Sequence, residues 1–160
     1  MNFAALRQSL EPVVRRVLHF SWRFTRGLTL GVRAVVVDGD GKIFLVEHSY
    51  VPGWHLPGGG VEADETLRVA LERELREEGN IELTGPPQLF GVYFNRRISR
   101  RDHVAVFIVR SFRQTVPPQP GYEIIGHGFF ARDALPPDTS RATRERLAEV
   151  FDSRAVADIW

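Results

Sequence analysis

The sequence predicts an α/β domain, a mixed sheet sandwiched by helices, and three observations lead there. A valine-rich run at residues 29–37 breaks at Asp38-Gly39-Asp40-Gly41 and resumes at residues 42–47, the signature of two strands joined by a tight turn. A helical pattern at residues 66–78 follows a run of glycines. Strand-like runs at residues 88–94, 104–112 and 124–130 then precede a last helix, ending at Phe151, that Ser140 is placed to cap. A chain of 160 residues, 43% hydrophobic and 26% charged, has room for one sizeable core.

Taken in order, residues 1–26 read as an N-terminal arm and residues 27–160 as the main domain. Plotted as a helix from Pro12, Leu10, Val13, Val17, Phe20 and Phe24 gather on one side, with Arg15, Arg16, His19, Trp22, Arg23 and Arg26 on the other. Such a basic amphipathic helix has two uses: packing on the domain or on a second subunit of a homodimer, or lying on an anionic membrane surface. Packing is the commoner outcome and the expectation here. Residues 29–37 and 42–47 are expected to pair as a hairpin, and residues 49–53 to form a loop. Trp54 to Leu56 lead into the glycines, Gly85-Pro86-Pro87 closes the segment after the helix, and residues 116–121 form a second loop. In the last helix Leu147, Val150 and Phe151 turn inward.

Composition removes several functions. With no cysteine there are no disulfides, no thiolate nucleophile and no Cys–zinc site, and a reducing compartment is permitted. No apolar run approaches the roughly 20 residues that span a bilayer, and Arg15 and Arg16 interrupt any signal-like segment, so the cytoplasm is the expected location. A net charge of +1 gives no global field for nucleic acid, and no sequence-specific nucleic-acid partner is expected. Lys42 is the single lysine among 21 basic residues. Arginine forks suit phosphate, but a GC-rich codon preference explains most of them.

The helix at 66–78 carries the chemistry. At about 100° per residue, Leu67, Ala70, Leu71 and Leu75 share one side and Arg68, Glu72 and Arg76 the other. Glu74, Glu77 and Glu78 fall on the apolar side. They stand at i,i+3 and i,i+4 spacings and repel one another, and the last two sit where the macrodipole also disfavours negative charge. A solvated acidic helix would place them with Glu72. A divalent cation, Mg²⁺ or Mn²⁺, reverses these penalties. Upstream, Gly58-Gly59-Gly60 supplies backbone able to approach a phosphate or to present a carbonyl to an ion.

At these residues the chain resembles the Nudix hydrolases, whose box reads G-x5-E-x7-R-E-U-x-E-E-x-G-U, with U a bulky aliphatic. Gly59, Glu65, Arg73, Glu74, Leu75, Glu77, Glu78 and Ile81 match, while Asn80 stands where the family has glycine. Asn80 and the preceding Gly79 are both suited to the left-handed turn that closes a helix. The resemblance implies the α/β/α Nudix fold and cleavage of a nucleoside diphosphate linked to another moiety, NDP-X, into NMP and phosphorylated X. It implies that Glu74, Glu77 and Glu78 hold Mg²⁺, with the Gly58 carbonyl as a further ligand, and that Arg73 and Glu65 form a structural pair orienting the site. The general base comes from the box or from Glu123 in a later loop, where a plain surface glutamate is an equal reading.

For the substrate, a small-molecule nucleotide, the contacts expected are Gly59 and Gly60, the arginines of residues 96–101, with Arg96 and Arg97 foremost, and Trp54, Tyr93 or Phe94 as stacking surfaces. A solvated hairpin tip is the competing reading for the arginines, and core packing for the aromatics. His55 and His103 are assigned to no metal. The proline that marks ADP-ribose-cleaving members is replaced by Asn95 and Arg96, and no coenzyme A motif precedes the box. That favours a nucleoside triphosphate or related nucleotide, with ADP-ribose or a nucleotide sugar as alternatives. The contrasting class is a non-catalytic nucleotide-binding or regulatory domain. An intact set of box charges argues against it.

Overall fold

Alternation along two strands sets the layering. The computed structural model of the protein describes residues 27–119 and 121–160. The proposed arm at residues 1–26 therefore lies outside the described residues. Strand β1 (Thr29–Val36) sends Val32, Ala34 and Val36 to one core and Val35 to the other, and β2 (Ile43–His48) divides Phe44 and Val46 from Ile43 and Leu45 in the same way. The first core is closed by helix α1 (Leu67–Gly79) through Ala70, Leu71 and Leu75. The second is closed by helix α2 (Arg141–Phe151) through Leu147, with Val150 and Phe151 against it. Helix, strands and helix thus form an α/β/α sandwich. Both faces of β1 and β2 are apolar because both are covered.

The remaining strands are β3 (Trp54–His55), β4 (Glu82–Leu83), β5 (Gln88–Phe94), β6 (Asp102–Val109), β7 (Phe112–Arg113) and β8 (Ile124–Phe130). The ladder β1-β6-β5 is mixed, with β1 parallel and β5 antiparallel to β6, while β3-β2-β8 and β4-β7 are antiparallel. The expected hairpin between β1 and β2 does not form. Asp38 does make the turn, its side chain accepting from the N–H groups of Asp40 and Lys42 and its own N–H donating to Lys42 O, yet beyond the Val37–Ile43 bridge the strands share no ladder and diverge into different ones. The free edge of β1 is taken by the glycine segment instead. Val32 N–H donates to Gly59 O, Ala34 N–H to Pro57 O and Val61 N–H to Leu30 O, at 2.8–2.9 Å.

The helix ends follow the sequence. Thr66 caps α1 by accepting from Val69 N–H at 3.2 Å, and Ser140 caps α2 by accepting from Thr143 N–H at 3.2 Å. Asn80, not Gly79, adopts the left-handed conformation at φ 49°, and its N–H returns to Arg76 O. Gly79 instead allows close packing, since a Cβ there would meet Ile81 Cδ1 at 2.9 Å and Phe44 Cε1 at 3.0 Å. After α2 the chain returns along β5, with Phe94 N–H donating to Asp158 O and Trp160 N–H to Phe94 O. No helix among the described residues is long and apolar enough to cross a membrane.

Candidate active site

The glycine segment and α1 meet because the glycines have no side chains. Gly58 lies at φ 134°, and a Cβ on it would sit 2.1 Å from Val32 O. A Cβ on Gly59 would sit 2.3 Å from Glu74 Oε1, so that glycine makes room for the carboxylate. Arg73 then ties the segment to the helix. Its Nε and Nη2 donate to the two oxygens of Glu65 at 2.9 and 3.0 Å, Nη2 to Gly60 O at 2.9 Å, and Nη1 to Glu74 Oε1 at 2.7 Å. Bidentate pairing with Arg73 holds the Glu65 carboxyl down at about 2 and the guanidinium above its ordinary value.

Glu78 is the buried member of the box. Its Oε2 accepts from Gly58 N–H at 2.7 Å, and Oε1 lies 3.5 Å from His48 Nε2. Burial pushes the Glu78 carboxyl up to about 7, although the Arg33 charge and the Gly58 N–H oppose it. Burial, then Arg33, pushes His48 down to about 4, leaving a neutral imidazole. Neither ring nitrogen of His48 has a hydrogen-bond partner among the described residues. Arg33, on β1, donates through Nη1 to Leu56 O at 3.2 Å and to Gly58 O.

Beside these groups lies a cavity of about 630 Å³, lined by Arg33, Tyr50, Gly58, Gly59, Gly60, Glu74, Glu78 and Glu123 among others. Glu123 reaches it from the loop before β8. Its carbonyl accepts from Ser49 N–H at 2.9 Å and its Oε1 from Tyr50 Oη at 3.2 Å. Glu77 does not line the cavity. Its side chain is 60% exposed, with Arg73 Nη1 at 3.4 Å, since it lies about 120° around the helix from Leu71, on the rim of the apolar side. Among the described residues no three acidic or histidine side chains converge on one point. The donors themselves are carboxylates and backbone carbonyls, the set that hard divalent cations prefer, and a buried carboxylate raised by desolvation is the group an ion would relieve. The residues fit such an ion.

The other candidates fall elsewhere. Tyr93 is fully buried, its Oη donating to Glu149 at 2.7 Å, so it offers no stacking surface; the alternation of β5 turns it into the second core. Trp54 is likewise packed there, edge-on to Phe130 at 4.9 Å. Arg96 and Arg97 are exposed and lie off the main cavity, although their neighbours Asn95 and Ile98 line it. Phe94 is half-buried beside His103, and His55 meets Pro52 O at 3.1 Å. Sequence reasoning missed Arg33, His48 and Tyr50. Arg33 is the single charged residue of β1, which is the one signal it gave, and His48 closes β2 beside Glu47 with no comparable signal.

The NUDIX domain family matches residues 27–151. The chain belongs to the Nudix family. A MutT-like protein of Streptomyces ambofaciens is 34% identical over 79% of this chain and 73% of its own length. The CTP pyrophosphohydrolase of Escherichia coli is 49% identical over a shorter stretch, 33% of this chain and 42% of that protein. Among solved structures, the MutT NUDIX hydrolase of Burkholderia pseudomallei superposes with a TM-score of 0.66 at 29% identity, over 77% of this chain and 98% of that one. This Nudix protein is accordingly a hydrolase of phosphoanhydride bonds, from a family that uses divalent metal ions on nucleotide substrates.

Proposed function

We propose that the protein is a Mg²⁺-dependent pyrophosphohydrolase of small nucleotides, converting NDP-X and water into NMP and phosphorylated X, with a nucleoside triphosphate or related nucleotide as the favoured substrate. One observation carries this reading: Glu74, Glu78 and Glu123 line the cavity that the glycine segment also lines. Mg²⁺, when bound, neutralises phosphate oxygens and lowers the pKa of the attacking water. Glu74 and Glu78 are the proposed ligands within the cavity, with the Gly58 carbonyl beside them and Glu77 joining from the rim. Arg73, held by Glu65, fixes the carboxylate of Glu74 and the carbonyl of Gly60 and so positions the acidic helix against the backbone that receives the phosphates.

The proton of the attacking water goes to a carboxylate. Glu123 is the proposed base because it enters the cavity from a separate loop and is engaged only by Tyr50 among the described side chains, which leaves an oxygen for water. A box glutamate is the competing choice. The name of one relative, a CTP pyrophosphohydrolase matched over a third of this chain, supports a nucleoside triphosphate. A panel of nucleoside triphosphates, NDP-sugars and ADP-ribose, assayed with Mg²⁺ for phosphate and pyrophosphate release, tests the proposal. Turnover of none of them would refute it.

A further inference from the structure

Arg33 is the one described basic side chain lining the acidic cavity, and the box does not account for it. It lies on β1 directly after Val32, whose N–H bonds Gly59 O, so its backbone is fixed to the glycine segment it touches. Its Nη1 donates to the Leu56 and Gly58 carbonyls, and the Gly58 N–H is held by Glu78. Its charge bears on Glu78, His48, Tyr50 and His55 together. The side chain also lines an adjoining cavity of about 290 Å³ with Asn95, Ile98 and Val104, so there is space on its far side.

A guanidinium on a backbone carbonyl beside a buried carboxylate occupies the place of a cation. If a divalent ion uses the same carbonyl, the two positive charges repel across a few ångströms, doubly because one is a dication. We propose that Arg33 stands in for the divalent ion in the metal-free protein by capping the Gly58 carbonyl, and that ion binding releases its guanidinium to hold an anionic oxygen of the substrate. This rests on the hydrolase reading above. Arg33 lines both this cavity and the adjoining one, together with Asn95, Ile98 and Val104, so its side chain has open space beside the site. Arginine suits the second half of the exchange, because its planar donors match phosphate oxygens.

Two probes separate this from a merely structural role. Mn²⁺ alone is titrated into the wild-type, Arg33→Met and Arg33→Lys proteins at pH 8.5, above the value of about 7 to which Glu78 is raised in the wild type, and inorganic pyrophosphate is then titrated in saturating Mg²⁺. Removing the competing charge is expected to tighten Mn²⁺ about tenfold in Arg33→Met while weakening pyrophosphate about tenfold, with Arg33→Lys between. A structural defect would weaken both. Should Arg33→Met not fold, Arg33→Gln gives the same readout. Mn²⁺ affinity that is equal or weaker without the arginine, or pyrophosphate affinity that does not fall, overturns the inference and leaves the hydrolase reading standing. A wild-type protein that binds neither probe overturns the reading of the site itself.

Discussion

Two clusters of arginine and carboxylate lie on opposite faces of the strands, and they differ in how completely they are satisfied. On the α2 side, Arg146 pairs with Glu149 Oε1 at 2.6 Å, donates to Ile159 O at 3.2 Å and stacks over Tyr93 at 4.2 Å. Glu149 also accepts from Tyr93 Oη and Ala157 N–H. Only Arg146 Nε is left without a partner. On the α1 side, Arg73 is equally well engaged, but Glu78 and His48 are buried beside an open cavity with ring nitrogens unpaired and a carboxyl pushed up to about 7. Charge that is closed on itself holds a structure together. Charge left open at a cavity marks where a ligand belongs.

The largest expected effect is on the open cluster. Glu78→Gln should lower turnover on the order of a thousandfold or more, since it removes a ligand charge, while the metal-free fold survives because the amide is easier to bury than the carboxylate. Single-turnover rates and metal-free melting curves check both halves; near-normal turnover at limiting Mg²⁺ would remove Glu78 from the ligand set. The closed cluster should respond in the opposite way. Arg146→Met leaves Glu149 buried without its charge partner and should cost about 3–5 kcal/mol of stability, with turnover per folded molecule unchanged. Denaturant unfolding and active-site titration distinguish them. A stable but inactive Arg146→Met protein would erase the contrast.

How far the sequence disclosed this contrast depends on the range of the interactions. Helix α1 and a left-handed close at Gly79 or Asn80 were legible because periodicity and turn chemistry are local, although Thr66 proved to be the cap and not the first helical residue, and the box supplied Arg73, Glu65 and the acidic run. Ser140 was legible for the same reason. Strand partners were not. The pattern at residues 29–47 signals a hairpin, but β1 pairs with β6, and nothing in the alternation of Val32 to Val36 says which strand lies alongside. Tyr93 was left between core and stacking surface because a strand aromatic faces either way until the second layer is known, and the core reading holds. Arg33 and His48 escaped because their roles come from partners on other elements, Gly58 and Glu78.

Smaller in effect is the loss of the loop carboxylate. If Glu123 accepts the proton from water, Glu123→Ala should lower turnover about a hundredfold and change the shape of the pH–rate profile, with substrate affinity changing less. Tyr50→Phe, which removes only the hydrogen bond at 3.2 Å, should keep the shape of the profile. A Glu123→Ala enzyme with an unaltered pH–rate profile returns the role to a box glutamate.

The smallest effect reads the open cluster without any substrate. In the metal-free protein Glu78 is raised to about 7 from an ordinary 4.5, so between those values the folded state holds a proton that the unfolded state has released, and stability falls as pH rises. His48 is lowered to about 4 from 6.5, so there the unfolded state holds the extra proton and stability rises with pH. Across roughly pH 4.5–6.5 the two slopes oppose each other, each at most on the order of 1 kcal/mol per pH unit. Glu78→Gln deletes the falling slope and leaves that of His48. Its metal-free stability should therefore climb more steeply than the wild type's between pH 4.5 and 6.5, and His48→Gln should do the reverse, declining up to about pH 7. Denaturant unfolding of the three proteins in chelator, at half-unit steps of pH, gives the comparison. Parallel curves for wild type and Glu78→Gln would mean that the carboxyl titrates normally and that burial leaves it no unmet charge for an ion to relieve.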